Sequence, residues 1–107
     1  GPAATKDLMF TARRVPADEA LRMGLISRVV PAAALEETVR EIASLIAGNA
    51  PLTIRSIKAN VAEAMKPESE RDIARCDALV EACMNSQDYR EGRAAFMEKR
   101  KPVFTGR

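Results

Sequence analysis

Apolar residues recur along this chain at helical spacing, and glycine or proline separates the runs. The clearest case lies in 33–47. Leu35, Val39, Ile42, Ala43, Ile46 and Ala47 fall on one stripe, with Glu36, Glu37, Arg40 and Glu41 opposite. Gly48-Asn49 ends that helix and Pro51 reopens the chain. Ile54, Ile57, Val61 and Met65 mark a second long helix, up to Lys66-Pro67. A third is predicted from about Glu68 to Asn85, carrying Ile73, Cys76, Val80, Cys83 and Met84 on one stripe. A last helix is expected from near Asp88, where Asp88 and Glu91 have the spacing of a capping box.

The first thirty residues carry shorter signals. Residues 2–11 read as a helix, with Ala4 and Ala12 at helical spacing from Leu8. Pro16 and Asp18-Glu19 suit the start of a short helix, and Gly24 stands where a left-handed C-terminal residue belongs. "LISRVV" follows, a β-branched run closed by Pro31. It reads as a brief strand or as an extended connector, and nothing else in the chain resembles a strand. The expected class is therefore all-α with at most one short extended segment.

Composition sharpens this picture. Ala, Leu, Ile, Val and Met supply the packing, because aromatics number only three Phe and one Tyr. About a hundred residues build one modest core, and several wide apolar stripes exceed what so short a chain covers by itself. Some faces are expected to meet another subunit or more of a longer chain. The net charge of +2 argues against a general polyanion binder. From Asp88 onward, however, six basic residues face three acidic ones.

Candidate chemistry is sparse. The chain has no histidine, which removes the commonest general base and metal ligand. Cys76 and Cys83 are two helical turns apart, roughly 10 Å along the axis, too far for a disulfide. They read as small buried hydrophobes, and two cysteines make no zinc site. The glycines are scattered, so no phosphate-cradling loop is predicted. Glu36-Glu37 and Glu68/Glu70 read as solvated, and Lys58 as a snorkelling lysine. No catalytic residue, metal site, signal peptide or membrane span is expected, and the predicted setting is a reducing cytoplasm.

The terminal helix carries the one binding logic. Gly92 and Phe96 are i, i+4, and Phe96 and Lys99 are i, i+3. A glycine dip, a flat aromatic and a cation, with Arg100 nearby, suit a ligand that joins an aromatic base to phosphate. The bland reading is a close helix approach at Gly92, a core Phe96 and a solvated Lys99.

Three stretches carry a family resemblance. "GPAATKDLMFTARRVPADEALRMGLISRVVP", "APLTIRSIKANV" and "SQDYREGRAAFMEKRKPVF" together resemble, in order and over nearly all 107 residues, the enoyl-CoA hydratase/isomerase (crotonase) superfamily. The resemblance implies that residues 1–107 are the C-terminal helical, oligomerising region of a crotonase fold. The spiral part of that fold, with its backbone oxyanion hole and two catalytic glutamates, has no counterpart in this sequence. The implied substrate is an acyl-CoA thioester, with no prosthetic group. The implied assembly is a trimer or hexamer, without nucleic acid or membrane. Phe96 and Lys99 match family residues that contact the adenine and phosphate of coenzyme A bound mainly by another subunit. Val80 falls near a further apolar contact. On the residues alone, a standalone helical interaction module is the alternative.

Overall fold

The computed structural model describes residues 1–107. It contains six α-helices and no strand, so residues 25–30 are the extended connector of the two readings above. The chain divides into two compact units, Gly1–Val39 and Arg40–Arg107.

The first unit holds α1 (Pro2–Thr11), α2 (Ala17–Arg22), a 3-10 turn at Ala32–Ala34 and the start of α3 (Leu35–Ala47). α1 buries no side chain and ends at Ala12 in the left-handed conformation, whose N–H donates to the Leu8 carbonyl. Arg13 then joins the two helices electrostatically. Its guanidinium donates to Asp7 at 3.1 Å and to both oxygens of Glu19 at 2.7 and 3.1 Å. This pairing holds the Glu19 carboxyl below the usual range. α2 closes as the sequence predicts. Gly24 is left-handed with φ +75°, its N–H reaches Leu21, and the Leu25 N–H reaches Ala20. Ala20 is the unit's single buried apolar residue.

The second unit contains the rest of α3, then α4 (Pro51–Ala64), a 3-10 turn at Glu68–Glu70, α5 (Ile73–Met84) and α6 (Gln87–Glu98). α4 packs on α5, and α5 touches α6. Where a helix from Glu68 was expected, α5 begins only at Ile73. The cause is Glu63, a buried carboxylate on α4. It accepts from Lys66 Nζ at 2.8 Å and from the Asp72 backbone N–H at 3.0 Å. That second bond holds Asp72 outside the helix, where its own side chain caps α5 through the Arg75 N–H. Arg71 donates to the Lys66 and Ala64 carbonyls, so the end of α4 is satisfied too. The two donors keep the Glu63 carboxyl ionised below its ordinary value.

Both cysteines are free thiols, Cys76 buried and Cys83 half-buried. No helix is long and apolar enough to cross a membrane. Ala20, Cys76 and Ala95 are the only buried apolar residues, while Met9, Phe10, Met65, Phe96 and Met97 are each at least 75% exposed. Solvated apolar side chains on this scale mark surfaces made for contact.

Candidate functional site

The N-cap of α6 lies two residues earlier than its sequence pattern suggests. Ser86 is the N-cap: its hydroxyl oxygen accepts from the Tyr89 N–H at 3.0 Å and its O–H donates to the Cys83 carbonyl at 2.6 Å. Asp88 and Glu91 therefore form no capping box. Their carboxylates serve the chain end instead. Asp88 is buried and accepts from the backbone N–H groups of Thr105 and Gly106 at 2.7 and 2.8 Å. Its own N–H donates to the Arg107 carbonyl at 3.1 Å. Glu91 accepts from the Val103 N–H at 2.9 Å and takes both terminal nitrogens of Arg100 at 2.6 and 2.8 Å. Arg100, and then the Val103 N–H, pull the Glu91 carboxyl down to about 2. Residues 100–107 are thus folded back along α6 as a strap.

The strap lies against the glycine. A Cβ built on Gly92 would meet the Phe104 ring at 3.6 Å, so the predicted dip is occupied by Phe104. That distance is ordinary van der Waals contact, and Gly92 has no left-handed φ. Gly92→Ala is therefore expected to stabilise the chain by about 0.5–1 kcal/mol, through better helix propensity and one added contact. Urea unfolding checks this; a loss of stability would show that the ring sits closer than described.

Phe96 is not a core residue. It is 82% exposed and borders an apolar groove of about 780 Å³ with Ile57, Val61, Val80, Met84 and Phe104. The fold thus brings Phe96 and Val80 to one groove from different helices. Lys99 departs from its expected place on the helix face. It lies just past α6 in the left-handed conformation, φ 54° and ψ 36°. Its N–H reaches Phe96 and the Arg100 N–H reaches Ala95, the bonding of a glycine-type helix terminus built on lysine. The two neighbouring cations are not equivalent. Arg100 is consumed by Glu91 and Glu98, whereas Lys99 enters no ion pair. Arg100 therefore adds little positive charge beside Phe96, against the simple reading of the sequence.

The sequence reading missed Phe104, because its relation to Gly92 depends on the strap. It also missed Glu63, whose burial is legible only once Asp72 is seen to need a partner. No group of three metal-ligating side chains is present.

The description Enoyl-CoA hydratase/isomerase belongs to the family model that matches residues 1–107, the whole chain. The chain belongs to the enoyl-CoA hydratase/isomerase family. A short-chain-enoyl-CoA hydratase of Clostridium acetobutylicum is 36% identical over 101 residues, which are 94% of this chain and 39% of that protein. A carnitinyl-CoA dehydratase of Citrobacter koseri is 38% identical over 110 residues, covering 99% of this chain and 42% of that one. Among solved structures, an enoyl-CoA hydratase/carnithine racemase from Magnetospirillum magneticum matches with a TM-score of 0.86 at 38% identity, over 100% of this chain and 39% of its own. The enoyl-CoA hydratase of Bacillus anthracis matches at 0.81 and 34% identity, over 95% of this chain and 40% of its own. This enoyl-CoA hydratase/isomerase chain thus spans about two fifths of its relatives' length. It is the all-α, C-terminal helical region of a crotonase fold that the three sequence stretches imply.

Proposed function

We propose that the whole protein acts on acyl-CoA thioesters, hydrating a trans-2-enoyl-CoA, and that this region binds the nucleotide end of the substrate. The chemistry resides outside the residues described above. There, two backbone N–H donors would polarise the thioester carbonyl and hold the enolate, and glutamates would activate water and deliver the C2 proton. Here, Phe96 lies under the adenine and Lys99 meets a phosphate. Val80 adds an apolar contact from α5. The chain is an assembly region of a trimer or hexamer, so the site it borders is completed by a neighbouring subunit.

One observation carries the reading: Phe96 is largely solvated, and, three residues on, an unpaired lysine is held in a conformation that suits glycine. Left-handed backbone costs a non-glycine residue about 1 kcal/mol or more, and such cost concentrates where a side chain is needed.

The test uses the whole enzyme and two substrates, the acyl-CoA and the matching N-acetylcysteamine thioester, which lacks the nucleotide. Phe96→Ala is expected to raise KM for the CoA substrate roughly tenfold, with kcat little changed. Lys99→Gly should raise that KM too, yet stabilise the protein by about 1 kcal/mol as the left-handed strain is relieved. The truncated thioester should be turned over equally by all three proteins. Equal losses on both substrates would overturn the assignment. The 107-residue chain alone is expected to hydrate neither. Self-association of the chain without any affinity for coenzyme A would instead favour an interaction module.

A further inference from the structure

Phe104 comes from the strap, not from α6, yet its ring reaches the same groove as Phe96. It lies 3.6 Å from the place a Gly92 Cβ would take, and Phe96 is one helical turn further along that helix. The groove therefore has aromatic side chains from two sources, Tyr89 and Phe96 on the helix and Phe104 on the strap. The position of Phe104 is set at several points. Asp88 accepts from the two N–H groups that follow Phe104, and Glu91 accepts from the N–H just before it. Gly106, left-handed at φ +80°, lies against Pro51 at the start of α4, 3.6 Å from that ring for a built Cβ. Hydrogen bonds on both sides leave the Phe104 backbone little freedom. An aromatic ring held this firmly beside an exposed apolar groove is preorganised for a flat partner.

We propose that Phe104 is a second aromatic contact for the planar end of the ligand, and that Asp88 is the residue that positions it. This inference rests on the nucleotide reading of Phe96 but assigns a separate residue and a separate support. A planar group in the groove would face one ring from the helix and one from the strap. Base–aromatic contacts are energetically substantial and tolerant of base identity, so the pair selects for flatness and apolar area. Phosphate recognition stays with Lys99.

These 107 residues hold no tryptophan, so an indole placed among them is a new reporter. Phe104→Trp and Phe96→Trp are made separately in the whole enzyme, and each is titrated with coenzyme A, the fluorescence change of the unsubstituted enzyme being subtracted. Quenching of both indoles is expected, with matching midpoints. Adding Asp88→Asn to the Phe104→Trp protein should weaken the response at 104 at least fivefold and leave the response of Phe96→Trp nearly unchanged. Phe104→Leu, which preserves the apolar wall but not the ring, should raise the dissociation constant roughly tenfold. A response at 96 without one at 104 overturns this inference and leaves the nucleotide reading standing. Silence at both overturns the two together. An unaltered response at 104 in the Asp88→Asn background removes Asp88 from the positioning role, even if Phe104 proves to be a contact.

Discussion

Asp88→Ala is expected to lower the unfolding free energy by about 3 kcal/mol and to free the strap from α6. The estimate comes from two charge-assisted hydrogen bonds, since bonds to ionised groups contribute about 1.5–3 kcal/mol each. It takes the low end of their sum because Thr105 and Gly106, once released, recover hydrogen bonds to water. Alanine cannot accept from either N–H, so the loss includes the seat of Phe104 on Gly92. Urea unfolding gives the magnitude. Limited trypsin digestion gives the location: the Arg100–Lys101 bond should be cut far faster in the variant, while sites within α4 and α5 keep their protection. Asp88→Asn retains one acceptor oxygen and should fall between the two. If the Arg100–Lys101 bond stayed as resistant as before, the strap would be held by something other than Asp88.

Stability should also collapse under acid and be indifferent to pH near neutrality. Glu91 is depressed from the ordinary 4.5 to about 2 in the folded chain, and Glu63 and Glu19 are lowered in the same direction. A carboxyl that is more acidic when folded binds fewer protons there than in the unfolded chain, so stability rises with pH across the interval between the two values. The contribution is complete above about 4.5 and disappears as the pH falls toward 2. With no histidine in the chain, no imidazole titrates between about pH 5 and 8. The urea midpoint should therefore be nearly flat from pH 5 to 8 and fall steeply below 4.5. Glu91→Gln should start lower and lose less on acidification. A midpoint unchanged between pH 5 and 3 would contradict the assigned partners of all three carboxylates.

The helices were legible where neighbours in sequence determine them. The stripe through Leu35, Val39 and Ile42 is a local pattern, and so is the glycine terminus at Gly24. Errors arose where a residue's partner lies far along the chain. Asp88 and Glu91 have the spacing of a capping box, but backbone N–H groups at 103, 105 and 106 claim their carboxylates, and Ser86 takes over the cap. The start of α5 moved for the same reason, because Glu63 lies nine residues from the Asp72 N–H it accepts. At the candidate site, spacing put Phe96 on one face with Gly92 but left a core position open, and the structure exposes it. Lys99 was located but misplaced on the helix face, since glycine is the usual residue at a left-handed terminus. The contact of Phe104 with Gly92 was invisible, because it depends on the strap rather than on any spacing.

The strap also sets an order of events in folding. Nearly every other hydrogen bond in the chain joins residues a turn or two apart, whereas the bonds from Asp88 and Glu91 to the backbone of 103–107 span 12 to 19 residues. Closing a loop of about ten residues takes only about 10–100 ns, so the order is set by geometry: the strap has no aligned partners until Asp88 and Glu91 are presented on α6. α6 is thus made before the strap can dock on it, and in unfolding the strap leaves first. An observer following the two ends of this motif would record the helix as the early signal and the aromatic contact at Gly92 as the late one.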